Sequence, residues 1–342
     1  MPNITKQEII HKIVDAQFNP KTENASAFAP SNIALAKYWG KRNETLNLPM
    51  TSSLSVALGN LGTETTIQVV DAEDDLYFLN GQAVNPETQF YARLHRYLDL
   101  FRTTESNLTF RIETQNTIPT QAGFASSASG FAALAKALDQ LFGWQLTQDK
   151  LSILARLGSG SACRSIWPGF VKWRMGYKED GMDSHGIPIR KAWPELRIGL
   201  VKIDSCIKSI SSREAMEISM KTSADYDLWP DKTRQVMQKV EQAIEECNIQ
   251  LLGYFAENHA LMLHAVTETA RPPIVYTTEA TVQARKKVWE MRRQKIPVFF
   301  TQDAGPNLKI LFLEKETDAV REVFPEIEII IPTEQNKLEQ TS

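Results

Sequence analysis

The sequence predicts an α+β protein of about two domains. Its 342 residues exceed what one ordinary core organises. Hydrophobic residues recur along it with both two-residue and helical periods. The two patterns interleave, and Gly, Pro and Asn-Gly signals punctuate them.

Up to about Ala25 the chain is polar and charge-mixed, which fits a short helix or a loose arm. Periodic signals begin at Ala27. Thr63 to Val70 is a β-branched alternating run, and Leu76-Tyr77-Phe78-Leu79 before Asn80-Gly81 reads as a strand entering a tight turn. Phe90, Leu94, Tyr97, Leu98 and Phe101 keep helical spacing; Leu108, Phe110 and Ile112 alternate with polar residues as in a half-buried strand. Ser126 to Phe142 is small and apolar, carries Phe131, Leu134, Leu138 and Leu141 at helical spacing, and has Gly143 where a left-handed cap belongs. Thr147 opens another helix that ends near Gly158, and the polar stretch 177–188 reads as a loop.

A domain boundary is expected near Trp193-Pro194. Beyond it, 196–203, 297–301, 308–313 and 327–332 read as strands, and 233–247 and 251–266 as amphipathic helices. The expected organisation is an arm over 1–25, one domain over 26–192, a second over 193–335, and a charged, frayed tail over 336–342. No internal repeat or low-complexity tract stands out.

A net charge of -3 argues against nucleic acid or an acidic membrane as main partner. A small anion needs only a local basic pocket. No run approaches the ~20 apolar residues of a membrane span, and the N-terminus has no signal-peptide core. Cys163, Cys206 and Cys247 lie in no paired or metal-like spacing, as expected for free thiols in the cytoplasm.

Four segments carry the chemistry. Pro119-Thr120-Gln121-Ala122-Gly123-Phe124 leads into Ala125-Ser126-Ser127-Ala128-Ser129-Gly130, a turn opening a helix whose free N–H groups and hydroxyls suit a nucleotide phosphate chain. A Ser-capped helix packed on a neighbour would read the same way. Ser31 to Arg42 holds Lys37, Tyr38 and Lys41 within five positions, followed by Asn47 and by Thr51-Ser52-Ser53. These are point charges and hydroxyls for one anionic substrate, or else a solvated basic turn. Ser159-Gly160-Ser161-Ala162-Cys163-Arg164 places an arginine beyond a serine loop, suited to clamping a carboxylate or simply to the surface. Asp303-Ala304-Gly305-Pro306-Asn307 ends an apolar strand with a carboxylate placed as a base or as a turn residue. Phosphate-holding and proton-accepting groups together suggest phosphoryl transfer.

Lys37-Tyr38-Trp39-Gly40-Lys41-Arg42, Ala125-Ser126-Ser127-Ala128, the serine loop to Arg164, and Asp303 to Asn307 occur in the order and approximate spacing of the mevalonate diphosphate decarboxylase family of the GHMP kinase superfamily, which this chain resembles from about Ala29 to Leu313. The resemblance implies a ribosomal-protein-S5-type N-terminal domain and a ferredoxin-like C-terminal domain, with the active site in the cleft between them, and a homodimer. It also implies ATP-dependent decarboxylation in isoprenoid synthesis, with ATP and Mg2+ required and no protein metal site. ATP phosphorylates the tertiary 3-hydroxyl of a mevalonate ester, after which phosphate and carbon dioxide depart.

By resemblance, Asp303 orients or deprotonates that hydroxyl, Lys37 offsets charge at the reacting oxygen, and Arg164 holds the substrate carboxylate. Ser127 positions ATP phosphate, within a nucleotide site comprising Pro119, Gly123, Ser126, Ala128 and Ser129. Ser159 and Ser161 meet the substrate hydroxyl; Asn47 is assigned to the substrate site. Tyr38, Lys41, Ser212 and Arg213 approach the distal phosphate. One departure is visible: aligned on Leu79-Asn80-Gly81, Phe90 falls where an arginine for the diphosphate is expected, with Arg93 one turn later. The substrate is therefore expected to be mevalonate 5-diphosphate, giving isopentenyl diphosphate, or alternatively mevalonate 5-phosphate, giving isopentenyl phosphate. A pseudoenzyme that only binds nucleotide or isoprenoid phosphate is the remaining reading.

Overall fold

A computed structural model describes residues 4–15, 18–102, 108–117, 126–203 and 210–332, except for the side chain of Ser126. Helix α1, Lys6–Val14, is held by a Thr5/Glu8 capping box and buries Ile9, Ile10, Ile13 and Val14. Of the two expectations for the N-terminus, the helix is therefore present. Strand β1, Asn24–Ala36, follows, then the ribbon β2, Lys41–Asn43, and β3, Leu48–Pro49. The long β4, Ser53–Val70, contains the expected 63–70 run; β5, Leu76–Leu79, and β6, Gln82–Ala83, flank the Asn80-Gly81 turn. Helix α2 spans Gln89–Leu98 and strand β7 spans Thr109–Asn116. Helix α3, Ser126–Phe142, ends at Gly143, whose φ of 65° is the left-handed cap the sequence predicts. Helix α4 runs Gln148–Gly158.

Strands β8, Phe170–Trp173, and β9, Gly186–Ile189, complete a seven-stranded sheet of order β6-β5-β7-β4-β8-β9, with β1 also paired to β4. The expected 177–188 loop is thus too long. Gly186 onward pairs with β8, and Pro188 is tolerated because β9 is an edge strand needing no donor on its outer side. Sequence periodicity missed this because Pro and Gly read as breakers.

The second half begins with β10, Leu196–Val201, and α5, Ser212–Thr222. Helix α6, Trp229–Glu245, starts earlier than the expected 233, since Pro230 sits in the first turn where its missing N–H costs nothing. Helix α7 is Ile249–Glu268, and α8 is Glu279–Arg293, a charged helix that sequence reading passed over. Its buried Ala284, Val288 and Met291 do keep helical spacing. Strands β11, Phe299–Gln302, and β12, Leu308–Leu313, helix α9, Thr317–Val323, and β13, Glu328–Ile330, finish the described chain. Here the sheet order is β11-β12-β10-β13, all antiparallel.

Alternation along the strands explains the layers. One core sets α1 to α4 against the first sheet through Ile67, Phe110, Leu134, Leu138 and Leu154. A second joins Ile33, Leu35, Leu54 and Val56 of the first sheet to Ile198, Leu311 and helices α6 and α7. On the opposite face of the second sheet, Ile310 and Phe312 meet Val288 and Val320. Each fully buried side chain of this size contributes roughly 1.5–3 kcal/mol. The shared second core brings the end of β1 against the β11–β12 hairpin. Thr301 Oγ1 donates to the Ala34 carbonyl at 3.3 Å, closing that contact.

Candidate active site

Lys37 emerges where β1 ends, past two register breaks against β4, between Pro30 and Asn32 and between Ala34 and Ala36. Its backbone N–H donates to His259 Nδ1 on α7 at 3.0 Å, and His259 Nε2 faces Thr233 Oγ1 at 3.1 Å. With Nδ1 accepting, the imidazole is the neutral tautomer that donates from Nε2. Burial, reinforced by Lys37, holds this histidine down to about 3. Lys37 Nζ donates to the Ala34 carbonyl at 2.9 Å and to Asp303 Oδ1 at 2.8 Å.

Asp303 begins the hairpin between β11 and β12. Gln302 Nε2 donates to the Gly305 carbonyl at 2.7 Å, which shapes the turn. The other carboxylate oxygen, Oδ2, accepts from Lys309 Nζ at 2.9 Å. Asp303 is 33% exposed, whereas Lys37 and Lys309 are 2% and 4% exposed, so the carboxylate alone of the three opens outward. Burial would raise its pKa, but the Lys309 and Lys37 ammonium groups outweigh this and hold it well below the usual carboxylate range. Such a carboxylate is a fixed hydrogen-bond acceptor before it is a base. Lys37, in turn, is pushed down to about 8 by burial, with Asp303 opposing the fall.

Arg164 lies in the short 3-10 turn after α4 and is 3% exposed. Its Nη1 donates to Ser53 Oγ at 2.6 Å and its Nε to Asn32 Oδ1 at 3.3 Å, while Asn32 Nδ2 donates to Ser165 Oγ at 2.7 Å. These bonds and the Trp173 ring, 5.9 Å from the guanidinium carbon, fix its plane. The Arg164 charge acts on Lys37, and Asp303 acts back on Arg164, so all three share one electrostatic site.

Tyr38 follows Lys37. Its ring packs 4.7 Å from that of Trp173, and its hydroxyl is buried without a hydrogen-bond partner in the unliganded chain. Gly160, between Ser159 and Ser161, lets this hydroxyl approach, since a Cβ there would come within 2.9 Å of it. Ser159 is buried and Ser161 half-buried on the same turn. Gly40 has a φ of 112° and its missing Cβ leaves room for the Tyr226 hydroxyl, so no other residue fits the turn between Trp39 and Lys41.

Lys41 and Arg213 line one cavity of about 110 Å³ with Glu44, Met216, Glu217 and Met220. Arg213 is exposed in the first turn of α5, beside the half-buried Ser212. Asn47 is a support rather than a free contact. Its Oδ1 accepts from Lys41 Nζ at 2.9 Å while its Nδ2 donates to the Arg156 and Leu157 carbonyls at 2.9 and 3.2 Å.

At the start of α3, Ser127 is exposed. It adjoins an apolar cavity of about 140 Å³ lined by Leu79, Phe90, Leu94, Ile112, Phe131 and Leu134. Ser129 and Ala128 turn inward instead. Ser129 Oγ lies 2.6 Å from Thr63 Oγ1 and accepts from Ser31 Oγ at 3.0 Å, and Ala128 is fully buried. Their side chains tie α3 to the sheet, because helical periodicity sends adjacent positions to different faces. Pro119 and Gly123 lie outside the described residues, as does Cys206, and nothing is said of the Ser126 side chain. Cys163 is buried and its thiol is pushed up to about 12 by that burial, which makes it chemically inert.

Sequence reasoning missed Lys309, His259 and the Ser53/Asn32 support of Arg164. A lysine at the second position of an otherwise apolar strand was the available signal for Lys309. The other contacts exist only through packing across more than a hundred residues.

Two family models match the chain: the diphosphomevalonate decarboxylase-like N-terminal domain over residues 29–186 and the mevalonate 5-diphosphate decarboxylase C-terminal domain over residues 200–341. The diphosphomevalonate decarboxylase of Aspergillus fumigatus is 36% identical over 320 residues, spanning 86% of this chain and 78% of that protein. The mevalonate diphosphate decarboxylase of Enterococcus faecalis superposes with a TM-score of 0.84 at 37% identity, covering 91% of this chain and 97% of the other. A structure described as MDDEF in complex with MVAPP, AMPPCP and magnesium gives a TM-score of 0.85 at 37% identity and the same coverage. Matched in both halves and by relatives above 30% identity along most of its length, the chain belongs to the mevalonate 5-diphosphate decarboxylase family.

Proposed function

We propose that this chain catalyses the ATP-dependent decarboxylation of mevalonate 5-diphosphate to isopentenyl diphosphate. The observation that carries the reading is the Asp303 carboxylate, open to the outside and clamped from beneath by buried Lys37 and Lys309, within electrostatic reach of a rigidly held Arg164.

A tertiary hydroxyl is crowded and weakly nucleophilic, so its orientation limits the rate. Asp303 accepts a hydrogen bond from it and aims its lone pair at the incoming phosphorus. As the new O–P bond forms, the hydroxyl acidifies and its proton passes to Asp303. Lys37 offsets the negative charge that gathers during transfer. Arg164 holds the substrate carboxylate so that, as the C–O bond breaks and phosphate leaves, the electrons of the C–C bond form the alkene and release carbon dioxide. The buried, unpartnered Tyr38 hydroxyl supplies a donor where a ligand oxygen can complete its bonding.

The residues present fit a nucleotide. Ser127 is exposed in the first turn of α3, where anions are favoured, and the adjoining apolar cavity suits a planar base. ATP supplies the phosphoryl group that converts the hydroxyl into a leaving group. Among the described residues no cluster of three His, Cys, Asp or Glu stands ready for a metal. Magnesium would be carried mainly by the ATP phosphates, as is usual for this ion. The relative crystallised with MVAPP, AMPPCP and magnesium supports both assignments.

The Trp193-Pro194 stretch, between the last strand of one sheet and the first of the next, is our division between N- and C-terminal domains. No described helix is long and apolar enough to cross a membrane, and the free thiols Cys163 and Cys247 agree with cytoplasmic residence. A homodimer is the assembly we assign by family resemblance.

The deciding experiment supplies ATP with each ester in parallel and measures ADP and carbon dioxide. The diphosphate is expected to yield both in equal amounts with the higher kcat/KM. A preference for the monophosphate would instead identify a phosphomevalonate decarboxylase, and neither product from either ester would leave a binding protein.

A further inference from the structure

The turn that carries Asp303 is backed by α8, whose residues the mechanism above does not use. Thr281 Oγ1, in the first turn of that helix, donates to the Pro306 carbonyl at 3.0 Å. One turn further on, Arg285 donates twice to Gln302 Oε1, from Nε at 3.1 Å and from Nη2 at 2.6 Å, and Nη2 also reaches Thr277 Oγ1 at 3.1 Å. Gln302 is fully buried, and its Nε2 donates to the Gly305 carbonyl at 2.7 Å. A line of hydrogen bonds thus runs from α8 through Gln302 to the far side of the turn, and Asp303 is the next residue after Gln302.

An amide side chain has an accepting end and a donating end, whereas a guanidinium only donates. Arg285 therefore compels the Gln302 oxygen toward α8 and leaves the NH2 group for Gly305, whose buried carbonyl has to find a donor. Arg285 is half-buried and makes no ion pair among the described residues. Of the two acids that act on it, Glu268 is exposed and Glu257 is already held by Arg292. A cation drawn from water without an acid partner gains little stability, but a planar fork of donors is well suited to fixing the direction of one neighbour.

We propose that Arg285 and Gln302 are positioning residues for Asp303: the guanidinium fixes the Gln302 amide, and the amide holds the turn so that the carboxylate stays against Lys37 and Lys309. This deepens the function proposed above and rests on it. Arg285 acts only through Gln302, so its loss slackens the turn without removing a group that meets the substrate. A carboxylate that drifts loses its aim at the hydroxyl, and Lys37 loses part of the support that keeps its proton. The charged groups that act on Lys37 are Asp303, Lys309 and Arg164. The histidines packed nearby, His259 and His264 of α7, are kept neutral by burial, both pushed down to about 3. Lys37, held at about 8, therefore carries the alkaline limb of the pH profile.

The test uses the full chain with Arg285→Met, Arg285→Lys and Gln302→Met. Steady-state kinetics with ATP and each mevalonate ester are followed across pH, and the Lys37 ammonium is titrated by NMR on 15N-lysine-labelled protein, its resonance identified with Lys37→Met. In Arg285→Met and Gln302→Met, kcat should fall ~10- to 100-fold, the cost of a small misplacement of a reacting group, while KM for ATP and for the ester stays within ~3-fold. The alkaline limb and the Lys37 titration should both move to lower pH by at least ~0.5, part of the ~1–3 pH units that a close opposite charge is worth. Arg285→Lys, which keeps a donor for Gln302 Oε1, should recover most of the loss. A lower Tm with kcat, alkaline limb and Lys37 titration unchanged would make Arg285 and Gln302 merely structural and overturn the proposal, even if the wild type turns over normally. A Lys37 titration that moves in the variants of a protein releasing no carbon dioxide would sustain the positioning and refute the function. If Gln302→Met does not fold, the variants of the half-buried Arg285 decide alone.

Discussion

Replacing Asp303 by asparagine keeps the shape of the side chain and removes the charge that two buried lysines share. Breaking a buried ion pair from one side costs ~3–5 kcal/mol, because the partner stays behind uncompensated. Asp303 is 33% exposed, so solvent screens part of this and ~2–3 kcal/mol is the working figure. An unfolding entropy of roughly 2.1 cal/mol/K per residue over this 342-residue chain amounts to about 0.7 kcal/mol/K, which converts the loss to a Tm drop of about 3–4 °C. The effect on turnover should be far larger. A positioned proton acceptor contributes ~100- to 10,000-fold, and Lys37 loses the carboxylate that supports its proton. Thermal unfolding, calorimetric ATP binding, and ADP and carbon dioxide release at saturating substrate should be measured on the same preparation. The expected outcome is a small Tm shift, retained ATP affinity and a collapse of both products together. Turnover within ~10-fold of wild type would remove Asp303 from the chemistry, and loss of ATP affinity would mean the substitution had disturbed the fold instead.

The alkaline side of the pH profile follows from Lys37. Held near 8 by burial against an ordinary 10.5, it loses its charge as pH rises through about 8, so kcat/KM should fall there. The sign for stability is opposite: between about 8 and 10.5 the unfolded chain binds this proton more tightly, so the lysine's contribution to stability grows with pH. Activity should thus disappear before the fold does, and a flat profile to about pH 9.5, or unfolding in step with inactivation, would contradict this assignment. Arg164→Lys exchanges a planar fork held by Ser53 and Asn32 for a point charge, and should lower kcat/KM for the mevalonate ester by ~10- to 150-fold with little change in KM for ATP. Equal losses toward both substrates would show that Arg164 is structural.

Residues whose chemistry is written in contiguous motifs were legible from the chain alone. Lys37, Arg164 and Asp303 each sit in a short run whose glycines, serines or proline shape a turn, and turn chemistry is local. The strongly periodic elements were legible for the same reason: α3 and β12 have the bounds their sequences predict. The charged α8 and the edge strand β9 were not, since a few buried residues among many polar ones, or a proline beside a glycine, give no clear period. At the site, Lys309 passed without notice inside the strand 308–313, although it supplies half of the clamp on Asp303.

By itself, then, the order of residues determined which groups are available for chemistry and which segments are helix or strand, because both depend on neighbours a few positions apart. Tertiary structure alone decided what those groups became. Packing β1 against the β11–β12 hairpin clamped the Asp303 carboxylate between two buried lysines, which hold its pKa well below the usual carboxylate range. Docking α1 on α4 brought Lys6 to Leu157, 151 residues away in sequence. Electrostatic character is set by distance through space and by exclusion of water, and neither is a property of position along a chain.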